Sequence, residues 1–249
     1  FVLHRGVFYY SSETYDRGLN ANYNIHAVDL QNGGKDEILY HGEKESGSIQ
    51  DMLCYGNHLY FREDFSDEEG NLKTEIKEIN LNSREITTLE SEDDEKYILM
   101  QGVFQDQIYY TLNGPDVTED WTWKRRNLDG SGEQDWFTTP VEQKLYADTE
   151  YFYLYTPWMF IMDTPDDPVL YMLDQEGNQL GSFDFGQIEG RQTNFIPGGE
   201  DYFFIVSEED GASHYYAVNK KEMAETGKGT LKELFELGDI VMGASDLPV

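Results

Sequence analysis

Apolar and polar residues alternate in short runs along this chain, and Gly, Asn and Asp interrupt the runs at regular intervals. Five aromatic tetrads begin at residues 7, 58, 107, 151 and 202, as in Val7-Phe8-Tyr9-Tyr10 and Tyr202-Phe203-Phe204-Ile205. Alternation over about four to eight residues is typical of half-buried strands, and aromatic residues favour strands. The pattern therefore predicts a β protein built from a unit that recurs about every 48 residues.

A second strand follows each tetrad and ends on Asp or Asn, directly before a turn. Ile25 to Asp29 precedes Gln31-Asn32-Gly33-Gly34, for example, and a short alternating stretch closes most units. Each unit is thus expected to contain four strands, named a to d in chain order. In the fifth unit an insertion replaces the tight c–d turn, and the segment from Lys220 to Gly227 predicts a helix of a turn or two that ends on Gly.

Units of this length with four strands are typical of β-propeller blades, which stack around an axis and so bury both faces of each sheet. We predict an all-β protein: a β-propeller of about five, or else six, four-stranded antiparallel blades. The repeats would span approximately residues 1–41, 42–92, 93–139, 140–187 and 188–237, with a tail at 238–249, in a single domain. A β-sandwich and two separate sheets are the alternatives.

The third unit carries a familiar pair of motifs. Tyr109-Tyr110 is followed by Asn127-Leu128-Asp129-Gly130-Ser131-Gly132. This pattern resembles the TolB-like and low-density-lipoprotein-receptor-YWTD-like propeller repeats, and in particular the uncharacterised propeller domains of clostridial surface lipoproteins. No unit contains Tyr-Trp-Thr-Asp. The resemblance implies an extracytoplasmic binding module, either extracellular or anchored at a bacterial cell surface. It transfers no catalytic residue, because the matched positions are strands and turns.

Charge and cysteine content narrow the function classes. The chain has 49 acidic and 18 basic residues, a net charge of −31, which disfavours binding to nucleic acids and anionic membranes and favours cationic partners. No apolar run approaches the length of about 18 residues that spans a bilayer. The single cysteine, Cys54, excludes an internal disulfide and a thiolate zinc site, and we predict an inert buried thiol. Because the chain starts at Phe1, we expect a fragment or a mature form.

The long b–c and d–a connections lie on one face of the predicted propeller, and they are rich in acids. Exposed aromatic rings beside carboxylates suit a sugar or peptide, since the rings stack and the carboxylates accept hydrogen bonds. Packing inside the protein is the alternative for the aromatic residues. Oxygen clusters also suit calcium, but no loop has EF-hand spacing, and we predict no cofactor. The predicted ligand-binding residues are Trp121, Trp123, Trp158, Phe160, Asp120 and Asp166.

No catalytic residue is predicted. There is no Gly-x-Ser-x-Gly elbow and no His-Glu-x-x-His motif, and the candidate inner strands Asp51 to Tyr55 and Met100 to Phe104 contain one acid between them. The leading hypothesis is a non-enzymatic extracytoplasmic binding or sensing module whose acidic loop face holds a protein, peptide or glycan. One alternative is a carbohydrate-active enzyme that uses carboxylates near the propeller axis. Another is a structural spacer in a longer surface protein.

Overall fold

The fold was analysed in a computed structural model of the chain. The structure describes residues 1–16, 19–42, 47–92, 96–113, 120–139, 143–155, 169–188, 191–197, 200–209 and 212–237. The chain divides into two compact units, residues 1–140 and 141–249. Within the described residues the strands form five four-stranded antiparallel sheets, each in plain sequence order. The prediction of an all-β protein built from four-stranded repeats is confirmed.

The first unit contains three sheets. Each is a meander, because every strand pairs with the next one along the chain. The strands are, in sheet 1, β1 (Val2–His4), β2 (Val7–Asp16), β3 (Leu19–Asp29) and β4 (Asp36–Gly42); in sheet 2, β5 (Ser48–Tyr55), β6 (His58–Ser66), β7 (Leu72–Asn80) and β8 (Ile86–Glu92); and in sheet 3, β9 (Tyr97–Phe104), β10 (Gln107–Asn113), β11 (Trp121–Asn127) and β12 (Gln134–Thr139).

The second unit contains the other two sheets and, among its described residues, one 3-10 turn at Phe185–Gln187 and one α-helix. The helix starts with Asn219 as N-cap, whose side chain accepts from the Glu222 backbone N–H, and it ends at Gly227 in the left-handed conformation. The predicted helix is thereby confirmed. The elements are, in sheet 4, β13 (Lys144–Ala147), β14 (Phe152–Tyr155), β15 (Val169–Leu173) and β16 (Gln179–Asp184); and in sheet 5, β17 (Arg191–Ile196), β18 (Tyr202–Glu209), β19 (Ala212–Asn219), α1 (Lys220–Thr226) and β20 (Leu231–Leu237).

The aromatic tetrad of β6 is apolar on both strand faces because this strand lies between two neighbouring sheets of the first unit. In β6, Leu59 and Phe61 pack in a cluster with residues of sheet 1 such as Ile25, whereas Tyr60 packs on the opposite face with residues of sheet 3 such as Ile98. Successive strand residues point to opposite faces, so a run of consecutive apolar residues is needed to fill both contacts. The tetrads therefore form the core between sheets.

A bulge recurs in the fourth strand of every sheet. In each case the register between the third and fourth strands shifts, leaving one extra residue on the fourth. Bulges increase local twist and re-aim a side chain, and the extra residue is large and apolar each time. The five residues are Leu39, Leu89, Trp136, Leu180 and Leu234.

Within the first unit, the first strands of successive sheets touch one another. Strand β5 contacts both β1 and β9. Contacts of this kind are expected when sheets are arranged side by side around a common line, with their first strands nearest to it. The first unit therefore has a propeller-like arrangement of its three sheets, which places polar residues of β5 beside both neighbouring first strands.

Candidate functional site

The first strand of sheet 2 is interrupted by a bulge at Asp51. The pairing of β5 with β6 shifts register between Gln50 and Leu53, and Asp51 has a φ of 50°. A non-glycine residue in the left-handed region costs on the order of 1–3 kcal/mol and persists only where surrounding contacts hold it. The Asp51 side chain is 38% exposed. A half-exposed carboxylate is thus held on the strand that contacts both neighbouring first strands.

Arg62 in β6 holds the Asp51 carboxylate. Its Nη1 lies 3.0 Å from Asp51 Oδ2 and its Nη2 lies 3.2 Å from Asp64 Oδ2, and the Arg62 side chain is only 7% exposed. Nη1 also donates to the Ile98 carbonyl oxygen at 3.3 Å, and the guanidinium lies 5.0 Å from the centre of the Tyr97 ring. One buried cation therefore connects β5, β6 and β9.

Two polar atoms in this cluster have no hydrogen-bond partner within the described residues. They are Nε of Arg62 and Oδ1 of Asp64, and both are buried. Burial raises the pKa of the Asp64 carboxyl, although the neighbouring Arg62 opposes the shift. Buried polar atoms in proteins are normally satisfied by protein groups or by ordered water. Arg62 Nε and Asp64 Oδ1 are exceptions to that pattern within the described residues.

Glu63, between Arg62 and Asp64 in sequence, lies on the opposite face of β6 and is fully buried. It accepts the hydroxyl hydrogens of Tyr23 and Tyr40 at 2.7 Å each, and the ammonium of Lys77 also donates to it. Burial lowers the pKa of Lys77, but its hydrogen bonds to Glu63 and Glu75 outweigh that effect and raise the pKa above its usual value. The network is a charged cross-link between sheets 1 and 2.

Two glycines fix the position of Tyr23 in this network. A Cβ at Gly42 would lie 1.9 Å from the Tyr23 ring, and one at Gly47 would lie 2.2 Å from it. Non-bonded atoms do not approach one another this closely, so only glycine at both positions permits the ring to lie between these two segments. The tyrosine hydroxyl is thereby held on the Glu63 carboxylate, and the network is structural in character.

A cavity of about 520 Å³ opens between sheets 1 and 2 at their tight-turn ends. This end is opposite to the loop face that the sequence favoured. The side chains of Tyr9, Ala27 and Leu81 are among its apolar lining, and its polar lining includes three cationic and two acidic side chains. The polar residues that line it are His4, Arg5, Asp29, Asn32, Lys35, Glu37, Asn57, Asn82 and Arg84.

Three of the six predicted ligand-binding residues are described. Trp123 has no exposed surface, and its Nε1 donates to Thr139 Oγ1 at 3.0 Å. Its ring packs against Phe137, with a centroid distance of 5.4 Å. Trp121 is half-buried at the start of β11, and Asp120 is exposed just before it. The burial of Trp123 supports the packing alternative for that residue. Trp158, Phe160 and Asp166 lie outside the described residues.

The structure tests the predicted acidic loop face only in part. Asp64 is a strand residue bound to Arg62 and not a loop acid. Asp67 uses its carboxylate within its own turn, where the backbone N–H groups of Glu69 and Asn71 donate to it at 2.9 Å each.

Within the described residues no group of three or more His, Cys, Asp or Glu side chains is placed to hold a metal ion. In the same residues no helix is long and apolar enough to cross a membrane.

The charged residues with the most unusual surroundings, Arg62 to Asp64, are not among the predicted site residues. Arg62-Glu63-Asp64 directly follows an aromatic tetrad, and three consecutive charges within a strand that is buried on both faces indicate paired partners on both sides. That signal was present in the sequence. The partners themselves were not identifiable, because they lie on other strands and in other sheets.

Comparison with known proteins gives no relative by sequence. No family model matches the chain, and no curated protein matches it. Solved structures do match by fold. A prolyl endopeptidase from a study of inter-domain dynamics in catalysis and specificity aligns with a TM-score of 0.59 and 12% identity, over 92% of this chain and 33% of that one. An acylaminoacyl peptidase from Pyrococcus horikoshii aligns with a TM-score of 0.59 and 14% identity, over 92% of this chain and 37% of that one.

TolB from Acinetobacter baumannii also aligns, with 14% identity over 86% of this chain and 49% of that one, at a TM-score of 0.47 that is too low to support an argument. The chain thus spans about a third of the length of the peptidases it matches. At these identities the likeness shows the fold alone. The chain has a propeller-like fold, in agreement with the predicted repeat architecture. The resemblance to clostridial surface lipoproteins stays a prediction.

The leading functional hypothesis from the sequence, a non-enzymatic extracytoplasmic binding or sensing module, is wrong. Two peptidases are among the solved chains that match this fold over 92% of its length, and in each the matched part is about one third of a longer enzyme. The sequence pattern identified strands and turns, which are common to propeller-like folds in enzymes and in other proteins, so it provided no basis for choosing a non-enzymatic role. An enzymatic role is not excluded.

Proposed function

We propose that this chain is the propeller-like accessory domain of a larger hydrolase and controls which substrates reach a separate catalytic domain. The observation that supports the proposal most strongly is the alignment of 92% of this chain with one third of the prolyl endopeptidases, whose inter-domain dynamics are linked to catalysis and specificity. In this proposal the five sheets close into a five-bladed ring, and the ring moves as one body relative to the catalytic domain.

Contacts between neighbouring sheets within each unit support the internal rigidity that this proposal requires. Charged or polar side chains connect sheet 1 to sheet 2 through Glu63, and sheet 2 to sheet 3 through Arg62. In the second unit Lys220 connects sheet 5 to Asp148 in sheet 4. Such buried ion pairs hold their partners in one arrangement, because breaking one leaves an unpaired charge in the interior. A domain that acts on access by moving as a body requires this internal rigidity.

The test uses the polypeptide as its own cell makes it. Antibodies raised against this chain would isolate the natural product, whose mass is measured and which is then treated with a fluorophosphonate probe that labels active serine hydrolases. The expected result is a labelled polypeptide or tight complex well above 28.9 kDa that cleaves proline-containing peptides. An unlabelled product of this chain's own mass, without hydrolase activity, would overturn the proposal.

Ring closure has a separate test in solution. A compact chain of this length has a radius of gyration of about 18 Å by the usual scaling. Small-angle X-ray scattering of the isolated chain should give that value if the five sheets close. A clearly larger radius at low concentration, with intact strand content by circular dichroism, would show an open arc and contradict the closed ring.

A further inference from the structure

We infer that the cavity between sheets 1 and 2 is a binding site for a small organic oxyanion, such as a carboxylate or a phosphate monoester with an apolar body. The inference does not depend on the proposed accessory role, because it rests on the cavity's own residues. Its volume of about 520 Å³ lies within the range of small-molecule sites, which is about 300–1,000 Å³.

Positively charged side chains are concentrated at this cavity. This chain has only 18 Arg and Lys residues and a net charge of −31, yet Arg5, Lys35 and Arg84 all line this one cavity. They come from the first turn of sheet 1, the turn directly before β4 and the last turn of sheet 2, so the fold brings together cations that are far apart in sequence. A local concentration of positive charge in an acidic protein selects for an anion.

Both carboxylates in the cavity wall already accept hydrogen bonds or form an ion pair. Oδ1 of Asp29 accepts the backbone N–H groups of Gln31 at 2.9 Å and Asn32 at 3.0 Å, and the Asn32 side chain donates to Oδ2 at 2.7 Å. These bonds, that of the Asn32 side chain first, hold the pKa of Asp29 below its usual value. Glu37 pairs with Arg84 at 2.5 Å. Neither carboxylate is left over for the remaining cations.

The two remaining cations, Arg5 and Lys35, have few partners of their own. Within the described residues neither Arg5 nor Lys35 forms an ion pair, and the only hydrogen bond of the Arg5 side chain goes to the amide oxygen of Asn57. That contact orients the guanidinium from the facing turn of sheet 2. An oriented guanidinium suits carboxylate and phosphate, since its fork of N–H groups matches their paired oxygens.

Part of the cavity lining is apolar. Tyr9 and Ala27 are 5% and 4% exposed, and both line the cavity with Leu81. An apolar base beneath a cationic rim fits an anion with a hydrocarbon or aromatic body better than a bare inorganic ion. Binding of such a molecule would bury its apolar part against Tyr9 and leave its charged end at Arg5 and Lys35.

Isothermal titration calorimetry at low ionic strength tests the inference with three probes of similar size: phenyl phosphate, phenylacetate and neutral benzyl alcohol. We expect saturable one-to-one binding of at least one anion, weakened by added salt, and no binding of the alcohol. Phenyl phosphate and phenylacetate separate the phosphate and carboxylate classes. Absence of saturable binding by both anions would overturn the inference.

Variants of opposite sign make the test specific to this cavity. Lys35→Gln should weaken binding at least tenfold, whereas Glu37→Gln should strengthen it several-fold because it removes a negative charge from the rim and releases Arg84. Lys221→Gln in helix α1 is the matched control, since it makes the same change in net charge on an exposed residue of the other unit. Equal weakening by Lys35→Gln and Lys221→Gln would indicate general electrostatics and overturn the site. Thermal unfolding confirms that each variant is folded.

Discussion

Lys220, the first residue of helix α1, donates from its ammonium group to the carboxylate of Asp148, 72 residues earlier in the chain. The Lys220 side chain is 3% exposed and that of Asp148 is 12% exposed. The same carboxylate accepts the Tyr153 hydroxyl hydrogen at 2.7 Å and the backbone N–H groups of Glu150 and Tyr151 at 2.8 Å each. The insertion that carries α1 thus supplies a buried cation to the first turn of sheet 4.

Asp148→Asn should lower the free energy of unfolding by about 3 kcal/mol at pH 7, because it leaves Lys220 buried without its counter-charge. Burial raises the pKa of Asp148, but the hydrogen bonds from Lys220 and Tyr153 outweigh it, so the folded pKa lies below its usual value. The stabilisation is therefore complete above the unfolded pKa of about 3.9 and is lost as the pH falls through the folded value. Urea denaturation at pH 7, 5, 4 and 3 would show the gap between wild type and variant narrowing at the acid end.

Glu150→Gln is the matched control for this pH series. It removes one carboxylate from the neighbouring, exposed position and should change the unfolding free energy by less than about 0.5 kcal/mol at every pH. A gap for Asp148→Asn that is the same size at pH 3 and pH 7 would show that the charge of Asp148 contributes nothing to the fold.

Arg62→Met should destabilise the first unit by about 3–5 kcal/mol, since Asp64 would remain buried without a cation. Asp64→Asn in the same background should recover part of the loss. The expected coupling energy in the double-mutant cycle is on the order of 1–3 kcal/mol. Asp51→Asn is the matched comparison and should cost less, because Asp51 is 38% exposed. Strict additivity of Arg62→Met and Asp64→Asn in equilibrium denaturation would contradict the pairing.

Two equivalent hairpin turns should respond in opposite directions to substitution. Gln105 and Asp106 form the first turn of sheet 3 with φ of 51° and 60°, and Gly56 occupies the corresponding turn of sheet 2 with φ of 60°. Because positive φ is unfavourable for residues with a Cβ, Gln105→Gly should raise the unfolding free energy by about 0.5–1 kcal/mol. Gly56→Ala should lower it by about 1 kcal/mol. No atom lies within 4 Å of the new Cβ at Gly56, so packing does not contribute.

The midpoints of thermal unfolding would report both changes. The prediction fails if Gln105→Gly lowers the midpoint or if Gly56→Ala leaves it unchanged.

Cys54 should react slowly with thiol reagents in the native protein. It packs at the edge of the cluster between sheets 1 and 2, and burial raises the pKa of its thiol to about 11. Since the thiolate is the reactive form, the rate of reaction with a disulfide reagent at pH 8 should be about a hundredfold below that of an unperturbed thiol. The rate should increase tenfold per pH unit towards pH 11. Equal rates in native buffer and in denaturant would contradict this prediction of an inert thiol.

Local sequence information was sufficient for the elements of this fold. The tetrads mark second strands because their apolar residues fill the contacts between sheets, and the Asp or Asn at the end of each third strand marks a turn. Asp29 and Asn80 show the cause of the second pattern. Each uses a side-chain oxygen to accept the backbone N–H groups two and three residues later. Such bonds close within a few residues, so they are determined by the local sequence.

The surroundings of individual side chains were not predictable in this way. Trp121 and Trp123 lie on the same strand and suggested one aromatic surface, but Trp123 is enclosed by Phe137 and hydrogen-bonded to Thr139. A strand pattern shows which side chains share a face. It does not show what covers that face.

The sequence by itself determined the repeat, the order of strands, the turns and helix α1, because these depend on contacts within a few residues and on the alternation of apolar positions. Only the tertiary structure decided that Arg62 and Glu63 are buried with partners in other sheets, and that Arg5, Lys35 and Arg84 line one cavity. The physical reason is that burial and charge pairing depend on which strands and turns become neighbours between sheets, and these neighbours lie tens of residues apart in the chain.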